Sequence, residues 1–155
     1  MTRIKVLAVI AVVCFATAAD ARPRRVHKPK PANPVSVVVA AGEDLITAAS
    51  KFIGMGARQL GLPSTLWCAD FLNKLTHSGT DRTAKSYLHR GTPATKGCTN
   101  CIAVLTRKGG GHVGIVKGYD GRGNPILISG NHGNRVAVSV YPASRVLGYR
   151  WVSTG

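Results

Sequence analysis

From Ile102 onward the sequence alternates between short apolar runs and turn signals, which commits the second half of the chain to an antiparallel sheet. Ile102–Leu105, Val113–Val116 and Pro125–Ser129 are runs of strand length. Asp120-Gly121-Arg122-Gly123-Asn124, between the last two, is a hairpin turn. Arg135–Tyr141 alternates as a half-exposed strand should, and Gly148–Val152 reads as a final strand. The first half is helical. Glu43 and Asp44 put acids at a helix start, and Leu45, Ile46, Ala49, Phe52 and Ile53 follow helical spacing until Gly54 and Gly56 end it. Ser64 or Thr65 is a candidate cap for a second helix, with Leu66, Phe71, Leu72 and Leu75 on its apolar side. A third short helix is expected over Arg82–Leu88. Helices followed by an antiparallel sheet make an α+β fold.

The segment before these elements has a different character. Residues 1–21 read as an export signal: Arg3 and Lys5 precede an almost wholly apolar run from Val6 to Ala19, and Ala19-Asp20-Ala21 fits an A-x-A cleavage site. The run is short for a membrane span, and Val12-Val13 before Cys14 does not suit lipoprotein processing. The expected product starts at Arg22, is secreted or periplasmic, and makes no stable membrane insertion. Residues 22–41 read as a tether, because Arg22–Pro34 holds five basic residues and four prolines without apolar periodicity. Val35-Ser36-Val37-Val38-Val39 is either a short strand or an adhesive end of that tether. Residues 42–155 form one domain, expected to act as a monomer.

Beyond Ala21 the chain carries 19 Lys and Arg against five Asp and Glu, and 14 of those bases belong to the domain. Such a balance suits an anionic partner. In an exported protein, cell-wall polymer or lipid head groups come ahead of nucleic acid. No Walker loop, dinucleotide fingerprint, paired catalytic carboxylates or nucleic-acid motif is present; Gly109-Gly110-Gly111 lacks the Lys-Ser/Thr of a phosphate loop.

Three cysteines follow the leader. Cys98 and Cys101 are close enough to form a small disulfide ring in an oxidising compartment, which leaves Cys68 unpaired. Cys68 stands where the second helix begins, a place that stabilises a thiolate. His112 opens the strand that follows the glycine run, and a nearby imidazole is the base that a cysteine nucleophile uses. His112 lies eight residues before Asp120, and Asn131 lies seven after Asn124. Antiparallel pairing therefore brings both to one end of the sheet. Asn131 is the candidate group to orient the imidazole, with His132 the alternative. Each residue also has an ordinary reading. A helix cysteine is often a small buried apolar group, a lone histidine is often incidental, and Asn131-His132-Gly133-Asn134 makes a polar turn. Trp67 is either a cleft wall or a core aromatic.

Three motifs in this order carry a resemblance: Trp-Cys-Ala-x-Phe at Trp67–Phe71, Gly-His-Val-Gly-Ile-Val at Gly111–Val116, and Gly-Asn at Gly130-Asn131. The sequence resembles the CHAP-like and NlpC/P60-like cysteine hydrolases, most closely a small bacterial group of exported or phage-encoded members. Arg145–Arg150 fits the same group, and the match runs from about Ala48 to Val152. The resemblance implies a papain-like α+β fold, with N-terminal helices packed on an antiparallel sheet, and no cofactor. It implies cleavage of amide bonds in peptidoglycan stem peptides, with Cys68 as nucleophile, His112 as general base and acid, and Asn131 as orienting group. Trp67 and His132 are the candidate substrate contacts. Two positions depart from the pattern: Cys98-Thr99-Asn100-Cys101 replaces an expected Gly-Asp before the first strand, and His132 stands where many relatives carry Gln.

Three rivals use the same residues. Cys68, Cys98, Cys101 and His112 have the composition of a Cys3His zinc site. The C-x-x-C could be redox-active, although a strand follows it where such pairs open a helix. A non-catalytic wall-binding module on the same fold would also suit the basic surface and tether.

Overall fold

The computed structural model describes residues 34–35, 42–78 and 81–154. The expected leader and most of the tether, including all of the Val35–Val39 run except Val35, lie outside them. The architecture is α+β: two short α-helices and a 3-10 helix lie against a six-stranded antiparallel sheet. The helices are α1 (Leu45–Ser50) and α2 (Cys68–Thr76), and the 3-10 helix is Ala84–His89. The strands are β1 (Thr92–Ala94), β2 (Ile102–Arg107), β3 (Gly110–Tyr119), β4 (Pro125–His132), β5 (Arg135–Val140) and β6 (Val146–Trp151), in the spatial order β1-β6-β2-β3-β4-β5. None of the described helices is long and apolar enough to cross a membrane.

Both sheet faces are buried, so the central strands are apolar on both sides. Ile102, Val104, Val113, Ile115 and Ile128 face the helix layer with Leu45, Phe52, Phe71 and Leu72. Ala103, Leu105, Val116 and Leu127 face the other way, packing with Cys101, Tyr141 and Tyr149. Two hairpins fix the register. Asp120 closes the β3–β4 turn by accepting from the backbone N–H of Arg122 and Asn124. Gly133 and Asn134, both with positive φ, close the β4–β5 turn in the form that matches strand twist. The edge of β5 is not left bare: Gly54 donates to Val136 O, Val136 donates to Met55 O, and Gly56 bridges Arg135.

Several local expectations need correction. Asp44 caps α1 as expected of its acidic start, with Oδ1 accepting from Thr47 N. Ser64 and Thr65 do not cap α2; its cap residue is Trp67, which makes no side-chain cap bond. Leu66, read as part of the apolar side of α2, precedes the helix in a left-handed conformation and is 64% exposed. Ile53 is also exposed. The third helix is a 3-10 turn shifted by two residues at its start, and β1 carried no sequence signal because a three-residue edge strand is too short to show a period.

Candidate active site

The pairing of β3 with β4 runs from Tyr119↔Pro125 to Ile115↔Ile128 and stops there. Val116 exchanges backbone bonds on its β2 side, donating to Cys101 O and accepting from Asn100 N. Strand alternation then turns the N–H groups of Ile115 and Val113 towards β4. Past Ile115 the ladder ends, although Gly114 still lies tightly against Ser129 and Ile128, and the start of α2 packs on β4. Trp67 and Phe71 lie so close over Gly130 that a Cβ there would meet Trp67 Cε3 and Cζ3 and Phe71 Cβ at 2.8 Å. The Val113 N–H, which belongs to the peptide unit shared with His112, lies near enough to the Cys68 sulfur to favour its thiolate.

Cys68 is the free cysteine among the described residues and is 4% exposed. Burial pushes its thiol pKa up, against the opposing pull of the Val113 and Ala69 N–H groups and the Arg107 charge. The first N–H groups of α2 have no intrahelical acceptor, since Phe71 N is the first to reach back, to Trp67 O. They supply donors for an oxyanion beside the sulfur.

His112 pairs with Leu105 across β2 and points to the face away from the helices, with 2% exposure. Its Nε2 lies 3.0 Å from Ser129 Oγ and 3.0 Å from Tyr141 OH. The Tyr141 ring stacks on the imidazole with centroids 5.1 Å apart. Tyr141 OH also meets His132 Nδ1 at 2.9 Å, and His132 Nε2 meets Ser139 Oγ at 2.9 Å. A tautomer with hydrogen on Nε2 satisfies this network and leaves Nδ1 as a free acceptor. Among the described residues the Cys68 thiol makes no hydrogen bond to the ring. Burial, followed by the charges of Arg107, His132 and Arg145, lowers the His112 pKa to about 4. The resting pair is thus a neutral thiol and a neutral imidazole.

Two cavities flank the pair. One, of about 840 Å³, is lined by His112, Asn131, His132, Tyr141 and Arg145 among others. The other, of about 410 Å³, holds Cys68, Ala84, Lys85 and the Gly109–Gly111 run. Arg107 and Lys108, at the β2–β3 hairpin, line both.

His112, Asn131 and His132 therefore share one cavity, as hairpin counting requires, but the orienting role assigned to Asn131 is not what the geometry gives. The ring is held by Ser129 and Tyr141, and among the described residues no hydrogen bond joins it to Asn131. The ladder shifts register between Ser129 and His132, and Asn131 sits in that irregularity at φ 59°, which takes it out of strand alternation. Ser129 was findable: it lies two residues before Asn131 and so shares its face in a regular strand. Tyr141 was not, because it follows β5 and only the completed sheet brings it over His112. Trp67 is not a cleft wall; it is fully buried, with Nε1 unpartnered among the described residues.

Cys98 and Cys101 are joined as a disulfide. Cys101 lies in the cluster on the opposite sheet face from that of Cys68. The Cys3His arrangement is thereby corrected, and among the described residues no group of three or more His, Cys, Asp or Glu is placed to hold a metal. Compared with known proteins, the sequence matches no protein-family model and no curated protein.

Proposed function

We propose that the chain is an exported cysteine hydrolase with a papain-like fold, of the CHAP and NlpC/P60 kind, that cleaves amide bonds in peptidoglycan stem peptides. One observation carries this reading: Cys68 opens α2 with its sulfur near the Val113 N–H of the His112–Val113 peptide unit, beside the end of the β3–β4 ladder. In the proposed reaction the Cys68 thiol proton passes to His112 Nδ1 as sulfur attacks the amide carbonyl carbon. The α2 N–H groups hold the oxyanion. His112 returns the proton to the departing amine nitrogen, the C–N bond breaks, and a thioester remains. Water, giving its proton to the same ring, hydrolyses the thioester and restores the thiol.

In this scheme Tyr141 and Ser129 position His112, and Asn131 does not. Tyr141→Phe keeps the stacked ring and removes the hydroxyl, so kcat should fall about tenfold with KM little changed. Asn131→Ala should stay within about twofold of the unaltered protein. Steady-state kinetics on a soluble stem peptide checks both, and the reverse order of effects would return the orienting role to Asn131.

A wall-binding module without turnover is the second reading, favoured by the near-complete burial of both Cys68 and His112. Purified peptidoglycan incubated with the unaltered protein and with Cys68→Ala separates the two. Hydrolysis predicts soluble fragments, identified by mass, that the variant releases at least about 1000-fold more slowly. Binding of the polymer by both proteins without release of fragments would establish the module.

A further inference from the structure

Every carboxylate side chain among the described residues already has a partner, and two of them, Asp70 and Asp81, hold Arg82 and Thr83 on the wall of the Cys68 cavity. Glu43 pairs with Lys51, Asp70 with Arg82, and Asp44 caps α1. Asp81 accepts from Thr83, and Asp120 closes the β3–β4 turn. None of the five lines the cavity of His112 or that of Cys68. Cations line both. Arg107 and Lys108 are exposed at the hairpin where the cavities meet, and neither side chain has an ion pair or hydrogen bond among the described residues. Lys85 and Arg82, the latter paired with Asp70, add two more exposed cations on the Cys68 side.

Arg145, on the His112 side, is held in place. Its Nε and Nη2 donate to Thr106 O at 3.0 and 2.8 Å, and its guanidinium lies 5.8 Å from the centre of the Tyr141 ring. Those contacts use part of its five N–H donors and fix the plane of the rest. A guanidinium fixed before binding loses little rotamer freedom when a carboxylate arrives, and charge-assisted paired bonds are its strongest contacts.

We propose that Arg107, Lys108 and Arg145 form a carboxylate-binding rim that selects acidic peptides, with free carboxylates seated in the cavities on either side of the Cys68–His112 pair. This rests on the reading of that pair as an amide-cleaving centre and names the feature of the substrate that it selects. Two separate cavities joined at one cationic hairpin suit a peptide whose side groups diverge from a scissile amide better than they suit a uniform polyanion.

The rim also bears on the chemistry. The groups that act on His112 are Arg107 from β2, Ser129 and His132 from β4, and Tyr141 and Arg145 beyond β5. Of these, Arg107, His132 and Arg145 disfavour its protonated form. A carboxylate on either arginine offsets that field and makes the imidazole a better base, so an acidic substrate improves the site that cuts it.

The test uses the full chain carrying Cys68→Ala, so that bound peptide is not consumed. It is titrated by calorimetry with a synthetic stem tetrapeptide bearing free carboxylates, with the same peptide as carboxamides, and with an oligonucleotide of matched charge. The acid peptide should bind at least tenfold more tightly than the other two. Arg107→Gln with Lys108→Gln, at an exposed hairpin and checked for fold by circular dichroism, should cut the acid-to-amide ratio below threefold. NMR titration of His112 should show its pKa rising when the acid peptide binds. Equal binding of acid and amide, no binding of either, or an oligonucleotide bound as tightly as the acid peptide would overturn the rim. Cleavage of acid and amide peptides at equal rates by the unaltered chain would overturn it while leaving the hydrolase standing. Selective binding of the acid peptide without any cleavage would do the reverse.

Discussion

His112→Gln is expected to lower kcat/KM for stem-peptide hydrolysis about 1000-fold and, at the same time, to make the folded domain more resistant to acid. The first effect follows from losing the base that the proposed reaction assigns to Cys68, within the usual range for a general acid–base group. The second follows from linkage. The His112 pKa falls from an ordinary 6.5 to about 4 in the fold. Above pH 6.5 the ring is neutral in both folded and unfolded chains and contributes nothing. As pH falls below 6.5 the unfolded chain takes up a proton that the folded chain refuses, so stability is lost until about pH 4, where the folded ring also protonates. The full loss is about 3 kcal/mol. Glutamine does not titrate, so urea unfolding of the variant at pH 4.5 and 7 should differ by less than in the unaltered protein. Parallel pH curves for the two proteins would show that burial does not hold the ring neutral.

Gly130→Ala is expected to destabilise the domain by about 3 kcal/mol through overpacking, which lowers Tm by roughly 10 °C or more. The added Cβ would meet Trp67 and Phe71 at 2.8 Å, and both neighbours are fully buried with no room to retreat. Because Trp67 immediately precedes Cys68, the strain is delivered to that residue as well, and the proposed hydrolysis should fall beyond the loss of folded protein. Combining Gly130→Ala with Trp67→Leu should cost less than the sum of the single changes, since the smaller side chain vacates the contested space. Thermal unfolding checks both statements. An additive double variant would mean that the helix and β4 do not press on one another there.

The strand pattern was legible because its periods are local. Asp120–Asn124 and the runs around it announce β3 and β4, and hairpin counting from that turn correctly brings His112 and Asn131 to one cavity. The failure at Asn131 has a local cause too. Counting assumes unbroken alternation, and the register shift after Ser129 redirects the side chain. Trp67 was ambiguous because aromatic chemistry suits both a cleft wall and a core, and only the approach of α2 to Gly130 decides it. Arg107 at the end of β2, and Tyr141 and Arg145 in the β5–β6 connection, belong to two separate segments that meet only in the folded sheet. No spacing in the sequence links them to His112, yet Tyr141 hydrogen-bonds its ring, and the two arginines add to the burial that keeps it neutral.

The pH dependence of kcat/KM on a soluble stem peptide tests the central claim most directly, because it asks at once whether the pair cuts amides and in which protonation state it starts. A neutral Cys68 thiol beside a neutral His112 predicts hydrolysis that persists through pH 5, with an acid limb near pH 4 from the free protein's imidazole. Hydrolysis with its acid limb at an ordinary histidine value near 6.5, or no hydrolysis at any pH, would contradict the account.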